Sequence, residues 1–334
     1  MGSSRMGTWL FQTEPIVMPT PRSDRSELTD VKLVFLLEAV QAKMLHATGC
    51  TPELPSIADH TAASAVAYHL RSGGQQVRAK LALSAAFTLG LEDSDAVCLA
   101  ACAELLHNAS LVHDDLQDGD LFRRGQPTLW SKYGKNLAIC SGDLLLSAAY
   151  GVLCPLSQTD KLPAVLDIVH KRTSRAITGQ CADLSPLDLQ ADCVDQYIAI
   201  AKAKSGALLG LPLELALLVC GHTEYLSVAQ SAADHFAVGY QIIDDLQDHA
   251  SDAKRVCTPG QQVPPPALNI VLLLEQEPGH EDPFAQASAL AIDHLKRCED
   301  YALQLPHQSG RLLISYCTKM RTTLNDTIAQ FETM

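Results

Sequence analysis

Apolar residues recur along most of this chain at the three- and four-residue spacing of helices, and the alternating runs typical of strands are few. Alanine and leucine dominate the apolar positions, and both residues favour helices. Neither an Asn-Gly hairpin signal nor a regular series of short strands is present. The spacing predicts twelve helices, at Glu27–His46, Ile57–Arg71, Gln76–Leu89, Ser94–Asp118, Asn136–Leu153, Lys161–Thr178, Val194–Lys204, Ala207–Gly221, Glu224–Asp248, Pro266–Leu274, Ala285–Leu305 and Arg311–Phe331.

The helical pattern predicts one all-α domain over residues 27–334. A chain of 334 residues could form two average domains, but long helical folds also reach this length as one unit. The first residues differ from the rest, because Pro15, Pro19 and Pro21 interrupt any helix there. We expect this N-terminal segment, residues 1–26, to be disordered.

The sequence shows neither the pattern of a signal peptide nor that of a membrane span. No apolar core follows the N-terminus as it does in a secretory signal. No uninterrupted apolar stretch reaches the ~18 residues that a span requires, and the closest, Gly206–Gly221, contains Pro212 and Glu214. The sequence therefore predicts a soluble protein without a transmembrane segment.

Cysteine content and net charge limit the possible compartments, metals and partners of the protein. The eleven cysteines stand singly in apolar segments without a Cys-x-x-Cys pair, which indicates buried, reduced thiols in a cytoplasmic protein. The twelve histidines do not cluster with them, so zinc is not expected. A net charge of −13 argues against nucleic acid as a partner.

The sequence Asp-Asp-Leu-Gln-Asp occurs twice, as Asp114–Asp118 and as Asp244–Asp248, each time after an almost uncharged run. Carboxylates three and four residues apart share one helix face. One acidic helix end is more often a solvated cap than a metal site, but two identical copies favour two facing clusters. Six carboxylates in one cavity would not all stay ionised without cations, and such oxygen ligands suit Mg²⁺ bound together with substrate phosphates.

Two adjacent arginines, Arg123 and Arg124, follow the first cluster in the turn Gly119–Thr128. Guanidinium groups match phosphate oxygens with two parallel hydrogen bonds. Carboxylates for metal and arginines for phosphate, so near in sequence, predict a site for a diphosphate bound through metal ions.

Four segments of the chain carry a family resemblance. His107–Asp115, with the arginine turn after it, is similar to the first aspartate-rich motif of trans-polyprenyl (isoprenyl) diphosphate synthases, and Tyr240–Asp248 to the second. Between them, Gly179-Gln180 with Asp183 resembles the family's Gly-Gln-x-x-Asp element, and Lys204–Gly206 its Lys-Thr-Gly element. The segments occur in the family's order, and the likeness covers most of the predicted helical domain.

The resemblance implies an isoprenoid synthase fold, which is a single-domain helical bundle with a central active-site cavity, usually a homodimer. It implies Mg²⁺ as the cofactor, with three ions around a bound diphosphate. The implied chemistry is prenyl transfer: cations neutralise the diphosphate of an allylic prenyl diphosphate, its carbon–oxygen bond ionises, and isopentenyl diphosphate attacks the allylic cation. Apolar walls would keep water away from that cation.

Functional residues follow from the resemblance position by position. It implies metal binding by the outer aspartates of both motifs, Asp114, Asp118, Asp244 and Asp248. It implies catalytic roles for Asp114, Asp115, Asp118, Lys204, Gln241, Asp244 and Asp245. It implies substrate contacts for Gln75, Arg78, Ala109, Ser110, His107, Arg123, Arg124, Gln180, Lys204 and Ser205.

One segment departs from the family's pattern. The family has Gly-Gly-Lys-Arg-x-Arg-Pro, whose first Lys and last Arg hold isopentenyl diphosphate, whereas residues 73–79 read Gly-Gly-Gln-Gln-Val-Arg-Ala. Arg78 is kept, but Gln75 and Gln76 replace two cations. Loss of one charge-assisted hydrogen bond costs on the order of 1.5–3 kcal/mol. Because the family's other contacts are present, we interpret this site as weakened and not erased.

Three functions fit this mixture of features. The first is a prenyltransferase that elongates an allylic diphosphate with isopentenyl diphosphate, favoured by Arg78, His107 and Arg124. The second is a terpene synthase-like lyase that cyclises or eliminates from an allylic diphosphate alone, favoured by Gln75 and Gln76. The third is a silent subunit that modulates a partner synthase, and two intact aspartate motifs argue against it. Elongation is preferred, and consumption of isopentenyl diphosphate distinguishes it from the lyase.

The residues before the first motif bear on product length. In the resembling family the growing chain passes these positions, and a bulky aromatic there stops it. Ala109 and Ser110 are small, and the next turns offer Leu106 and Cys102, so we expect room for about twenty carbons or more. The alternative is that the small residues let two helices pack closely, with Leu144–Leu146 of the neighbouring helix supplying the bulk.

Two further features receive structural interpretations. His113 precedes the first motif and is interpreted as a hydrogen-bonding residue at a helix end, not as a general base. Asp252–Pro266 carries Lys254 and Arg255 and ends in three prolines. We interpret it as a solvated loop, with a lid over the site as the alternative.

Overall fold

The computed structural model describes residues 28, 30–49, 61–185, 193–256, 268–276 and 282–332, excluding the side chains at 250–256 and 327–332. The predicted disorder of residues 1–26 lies outside this range. Most described residues belong to helices: α1 (Asp30–Ala47), α2 (Ala62–Arg71), α3 (Val77–Leu89), α4 (Asp93–Gln117), α5 (Leu129–Tyr133), α6 (Lys135–Gly151), α7 (Leu162–Asp183), α8 (Cys193–Ala201), α9 (Ala207–Val219), α10 (Leu226–Val256), α11 (Ile270–Gln276), α12 (Pro283–Leu303) and α13 (Arg311–Glu332), with 3₁₀ turns at Thr223–Tyr225 and Pro306–Gln308.

The all-α prediction is confirmed, and every predicted helix has a counterpart. The differences lie mainly at helix ends. α7 ends at Asp183 and not at Thr178, and the short helix α5 was not predicted. α10 continues to Val256, so the first residues of the predicted loop Asp252–Pro266 are helical and the rest lie outside the described residues. Helix ends depend on contacts outside the helix, which sequence periodicity does not record, so predicted boundaries shift by a few residues.

The chain between α8 and α9 forms a π-helical turn, Lys202–Gly206, where the sequence predicted only a helix end. Such turns are frequent at functional sites. α7 lies directly against this one, because a Cβ added to Gly179 would sit 2.3 Å from the backbone nitrogen of Lys204. Glycine alone permits this approach, which brings Asp183 of α7 next to Lys204.

The turn after α4 is a short antiparallel hairpin, β1 (Phe122–Arg123) and β2 (Gln126–Pro127), which the sequence analysis missed. Its loop residues, Arg124 and Gly125, have φ values of 53° and 77°, as a type I′ turn requires at both positions. The first loop residue is arginine, which rarely adopts such a φ. The sequence therefore lacks the usual Asn-Gly signal for this turn. The hairpin carries both predicted phosphate-binding arginines.

Two helices run through the middle of the protein. α4 is buried at every residue from Asp95 to Leu106, and α9 is buried along its whole length. The core divides into two clusters that share α3 and α9. One cluster is built on α4 with α1, α6 and α7, and the other on α10 with α12 and α13. The aspartate motifs lie at the end of α4 and within α10, so the site borders both clusters.

One described helix, α4, is long and apolar enough to cross a membrane by length and composition. Its most apolar stretch is 83% buried among the other helices, as expected for the central helix of a core. From the sequence, Gly206–Gly221 was expected to come closest to such a segment, but α4 comes closer.

The nine cysteines of the described range are free thiols. Four are buried and three are exposed: Cys98, Cys102, Cys298 and Cys317, and Cys140, Cys154 and Cys181 respectively. The prediction of buried thiols is therefore wrong for the exposed three. They lie on or directly after α6 and α7, whose apolar composition did not reveal which side faces outward.

Candidate active site

The first aspartate motif divides its carboxylates between the protein and the site. Asp115 is buried, and its Oδ1 accepts hydrogen bonds from Nε and a terminal nitrogen of Arg123, both at 2.7 Å. Asp114 and Asp118 are not paired in this way. The positive charge of the Lys204 ammonium group favours the ionised form of both carboxylates. The inner aspartate therefore anchors the end of α4 while the outer two can meet a ligand.

The second motif repeats this division. Asp245 is buried and accepts hydrogen bonds from the Tyr197 hydroxyl (2.8 Å), Gln241 Nε2 (3.0 Å) and the backbone N–H of Ile270 (2.8 Å). Ile270 begins α11, so Asp245 ties three helices together. Asp244 has no such set of protein donors, although the hydroxyl of Tyr240 lies within hydrogen-bonding range.

The protein alone stabilises the ionised form of the outer aspartates poorly. Burial raises the pKa of Asp114 to about 6 and also raises that of Asp118. Burial, with Asp245 and Asp248 beside it, raises the pKa of Asp244 to about 8. A nearby cation favours the ionised form of such groups. These carboxylates are therefore suited to binding a metal ion.

The donor set fits Mg²⁺ bound together with a phosphate ligand. Within the part of the chain that the structure describes, no three carboxylate, imidazole or thiol groups converge on one point. Mg²⁺ commonly takes only one or two protein carboxylates and completes its coordination with phosphate oxygens and water. Asp114 with Asp118, and Asp244 with Asp248, are pairs of that size.

Lys204 supplies a fixed positive charge to this region. Its Nζ donates to Oδ2 of Asp183 at 2.5 Å. Burial disfavours the charged amine, but Asp183, Asp114 and Asp118 outweigh burial and raise the pKa of Lys204. The negative charge of Asp183 also contributes to the raised pKa of Tyr197, whose hydroxyl donates a hydrogen bond to Asp245 of the second motif. Lys204 and Asp183 therefore lie between the two motifs.

A cavity of about 830 Å³ adjoins the second motif, because Tyr240 and Gln241 line it. Its walls come from α1, the turn between α2 and α3, α4, the hairpin, α9 and α10. Leu209, Phe236 and Ala237 contribute apolar surface. The predicted site residues in its lining are Gln75, Arg78, His107, Arg124, Ser205 and Gln241.

Arg78 and Arg124 bring positive charge to this cavity, and Glu104 lies close to both. The Arg124 guanidinium packs on Gly74 so closely that a Cβ there would be 2.7 Å from Nη1. Glu104 is buried and accepts a hydrogen bond from the backbone N–H of Ala79 at 2.9 Å. The Nε of Arg78 is buried without a partner among the described residues. A ligand could satisfy that donor.

His107 is a neutral imidazole in the cavity wall, because burial and the neighbouring arginines hold its pKa well below the ordinary value. Burial likewise lowers the pKa of His69 to about 3. His69 Nε2 lies 3.0 Å from Oδ1 of Asn108, and Asn108 Nδ2 donates to the carbonyl of Glu104 at 2.7 Å. The neutral His69 is therefore the donor to Asn108, in a buried chain behind the cavity.

Three further polar site residues that the sequence predicted hold or adjoin the aspartate motifs. Arg123 binds Asp115, and Gln241 donates to Asp245 as it lines the cavity. Gln180 donates to Oε1 of Gln117 at 2.9 Å, next to the first motif. The structure thus gives these three side chains positions from which they orient the motifs.

The small residues Ala109 and Ser110 lie on α4 about one turn before His113, which contacts α6. Ala109 is buried in the core, and the Ser110 hydroxyl donates to the carbonyl of His107 at 2.8 Å. His113 Nε2 lies 3.7 Å from the carboxylate of Asp143 on α6, which agrees with a structural role. The structure is therefore compatible with both interpretations of Ala109, which are close helix packing and a passage for a long chain.

Comparison with known proteins adds an independent observation. The sequence profile of the family described as polyprenyl synthetase matches residues 59–261. The chain belongs to the polyprenyl synthetase family. The resemblance to trans-polyprenyl diphosphate synthases predicted from its motifs is confirmed.

Relatives within the polyprenyl synthetase family differ in their products. The chain is 30% identical over 243 residues to a (2E,6E)-farnesyl diphosphate synthase of Mycobacterium tuberculosis, which covers 68% of this chain and 65% of that protein. It is 31% identical over 267 residues to an all-trans-nonaprenyl-diphosphate synthase (geranyl-diphosphate specific) of Rhodobacter capsulatus, covering 76% and 77% of the two chains. The matched region thus spans about two thirds of the mycobacterial relative.

Solved structures of polyprenyl synthetases share the fold. A geranylgeranyl pyrophosphate synthetase from Pyrococcus horikoshii superposes with a TM-score of 0.72 at 22% identity, covering 87% of this chain and 97% of that one. A decaprenyl diphosphate synthase from Rhodobacter capsulatus gives 0.69 at 21% identity over the same shares. The predicted isoprenoid synthase bundle is confirmed.

Sequence reasoning missed two polar residues that organise this polyprenyl synthetase site. Glu104 holds the start of α3 and attracts Arg78 and Arg124, and Tyr197 binds Asp245. Glu104 gave a usable signal, since it is a lone acid inside a long apolar run. Tyr197 gave none, because its partner lies on another helix.

Proposed function

We propose that the chain is a Mg²⁺-dependent trans-prenyltransferase that joins an allylic diphosphate to isopentenyl diphosphate. The observation that supports this most is the adjacency of two different anion-binding regions. The motif carboxylates with Lys204 suit a diphosphate bound through metal. The cavity with Arg78 and Arg124 suits a second diphosphate bound by cations of the protein. A lyase acting on one diphosphate would need no second region.

The leaving diphosphate is proposed to bind at the first region. Mg²⁺ there, three ions by family resemblance, would supply Lewis-acid neutralisation of the leaving group. Lys204 adds a fixed charge that stabilises the diphosphate as its bond to carbon breaks. Asp115 and Asp245 hold the two motifs in position from the buried side. The proposed metal ligands are Asp114, Asp118, Asp244 and Asp248.

Isopentenyl diphosphate is proposed to bind in the cavity, with its diphosphate on Arg78 and Arg124. The neutral His107 can donate one hydrogen bond to it without adding charge. Leu209 and Phe236 provide apolar surface for its hydrocarbon part and limit access of water to the allylic cation. The double bond attacks that cation, and a proton leaves the adduct.

The product is proposed to contain about twenty carbons or more, because Ala109 and Ser110 leave α4 without an aromatic block. The compared relatives make farnesyl, geranylgeranyl and nonaprenyl diphosphates by name, so they do not fix the length. Their names give the lyase no support. A cytoplasmic location, and activity without a nucleic-acid partner, stay predictions from cysteine content and charge.

Turnover of both substrates tests the proposal. The purified chain is supplied with radiolabelled isopentenyl diphosphate and geranyl, farnesyl or geranylgeranyl diphosphate, in Mg²⁺ or in EDTA. We expect elongation only with Mg²⁺. Asp114→Ala and Asp244→Ala should each lower turnover by orders of magnitude, because each removes a metal ligand. Asp293→Ala is the matched control, since Asp293 is an exposed aspartate of α12 paired with Arg297.

Retained activity in EDTA, or in both alanine variants, would contradict the assignment of these aspartates as metal ligands. If the wild type leaves isopentenyl diphosphate untouched and converts the allylic substrate alone to hydrocarbons, the lyase replaces the transferase. Circular dichroism should show unchanged helix content in all three variants, because removal of a poorly stabilised carboxylate does not weaken the fold.

A further inference from the structure

The cavity has an unusual balance of charged groups. Among the described residues, the ionisable groups of fixed charge in its lining are three arginines and two glutamates: Arg71, Arg78, Arg124, Glu38 and Glu104. No lysine of the described ranges lines it, and the turn between α2 and α3 offers the neutral amides of Gln75 and Gln76. A bound diphosphate must therefore find its counter-charge among the three guanidinium groups.

Two of these guanidinium groups already have protein partners. Arg78 and Arg124 are both attracted by the buried Glu104, which neutralises part of their charge. Arg124 also donates a hydrogen bond to the carbonyl of Gly73. The pair alone therefore leaves a multiply charged diphosphate only partly compensated.

Arg71 differs from these two arginines. It is the last residue of α2, it is exposed at the cavity, and its guanidinium forms no hydrogen bond or ion pair with any other described residue. Arginine binds phosphate oxygens with a planar fork of donors, and an unpaired arginine at a cavity wall can turn that fork toward a ligand.

The segment that carries Arg71 is held in one conformation. Ser72 Oγ donates to the carbonyl of His69 at 2.6 Å. Gly73 and Gln76 have positive φ values of 76° and 49°, and the latter is costly for a residue with a side chain. The Gly73 carbonyl is bound by Arg124, as described above. The turn therefore presents Arg71 and the two glutamines at the same cavity.

We infer that Arg71 is a diphosphate-binding residue of this cavity, where it completes a three-arginine site with Arg78 and Arg124 for the second substrate. The inference rests on the proposed function and adds a residue and a charge count to it. Arg71 supplies from α2 the cation that Gln75 and Gln76 do not supply. Glu38, exposed on α1 at the same cavity, opposes the anion.

The test measures binding of isopentenyl diphosphate to the full chain by calorimetry, without an allylic substrate, and steady-state kinetics in parallel. Arg71→Gln should raise Kd and KM about three- to tenfold with kcat unchanged, because an exposed charge contributes to substrate and transition state alike. Glu38→Gln should lower Kd, because it removes a like charge. Gln75→Lys should lower Kd in the wild type and restore it in Arg71→Gln.

Arg297→Gln is the matched control, since Arg297 is exposed on α12 and pairs with Asp293, away from the cavity lining. Its Kd should equal that of the wild type. The opposite signs expected for Arg71→Gln and Glu38→Gln separate electrostatics from loss of folding, which would weaken binding in both.

An unchanged Kd in Arg71→Gln overturns the inference and leaves the proposed function standing if the wild type still elongates. A raised Kd that Gln75→Lys does not lower also overturns it, because the added cation should substitute for Arg71. A wild type that fails to bind isopentenyl diphosphate overturns both the inference and the proposed function.

Discussion

The inner aspartates of the two motifs, Asp115 and Asp245, act on the protein itself. Each is buried and accepts hydrogen bonds from the protein, one from the Arg123 guanidinium and the other from Tyr197, Gln241 and a backbone N–H. A buried carboxylate of this kind is costly to strip of its partners. The outer aspartates are therefore held in place by a neighbour of the same residue type, one position away for Asp114 and Asp244 and three positions away for Asp118 and Asp248.

The buried imidazole of His69 should make folding stability depend on pH. Its pKa is lowered to about 3 in the folded protein by burial and then by Arg123 and Arg124. Between the ordinary value of 6.5 and about 3, only the unfolded chain takes up the proton, so stability falls as pH falls below 6.5.

Urea unfolding of the wild type and of His69→Gln at pH 7.5 and 5.5 measures this contribution. The wild type should be the more stable at pH 7.5, because it keeps the hydrogen bond to Asn108. Its advantage should shrink by ~1 kcal/mol at pH 5.5, where the glutamine variant has no proton to gain at this position. A constant difference between the two proteins at both pH values would contradict the assignment of a neutral His69.

At the scale of the elements, α4 carries the prediction on product length. Ala109→Phe should shorten the product or exclude the longer allylic substrate, because the ring would fill the space that a growing chain needs. The measurement is the distribution of product lengths, by chromatography of the dephosphorylated alcohols. Ser110→Phe is the companion variant on the partly exposed neighbouring position of the same helix.

The competing outcome is structural. Ala109 is only 4% exposed, so a phenylalanine there overpacks the core by about 1–3 kcal/mol if no passage exists. A wild type that stops short of twenty carbons, together with unchanged product lengths and a lowered melting temperature in Ala109→Phe, would favour close helix packing over the passage.

Periodicity predicted helices well because it depends on residues within one or two turns. α4 and α9 stood out as apolar runs, and both are central helices. The hairpin and the π turn were missed for a different reason. Arg124 adopts a positive φ while its guanidinium binds the turn before α3, and Gly179 lies against a π turn that comes later in the chain. Contacts between distant segments decide both features, and no local pattern records such contacts.

The same limit applies to the site. The motifs predicted which residues gather, and the structure brings Arg78, His107 and Arg124 to one cavity. The sequence did not predict that Arg123 and Arg124, adjacent in the chain, contact different groups. It also missed Arg71, because an isolated arginine at a helix end is indistinguishable from a solvated one until the cavity beside it is known.

At the scale of the whole molecule, we predict a homodimer that buries apolar surface of α6 and α7. Ile139 of α6 is 46% exposed and Ile177 of α7 is 55% exposed, and burial of such large apolar side chains at an interface would be favourable. Sedimentation velocity at micromolar concentration should give a dimer. Ile139→Glu should weaken it, because the charge would have to be desolvated at the interface.

A monomeric wild type at that concentration would contradict the prediction. Val31→Glu is the control, since Val31 is also exposed but lies on α1. If Val31→Glu dissociates the dimer and Ile139→Glu does not, the dimer forms through α1 instead.

The hairpin has a thermodynamic consequence for the two anion regions. Arg123 is fixed to the end of α4 through Asp115, and Arg124 to the turn before α3 through the carbonyl of Gly73. A two-residue type I′ loop leaves no slack between them. If a diphosphate binds on each side as proposed, a shift of the hairpin on binding the first changes the position of the arginine that meets the second, and the two affinities become coupled. By linkage the coupling is reciprocal, so each substrate changes the affinity for the other by the same factor.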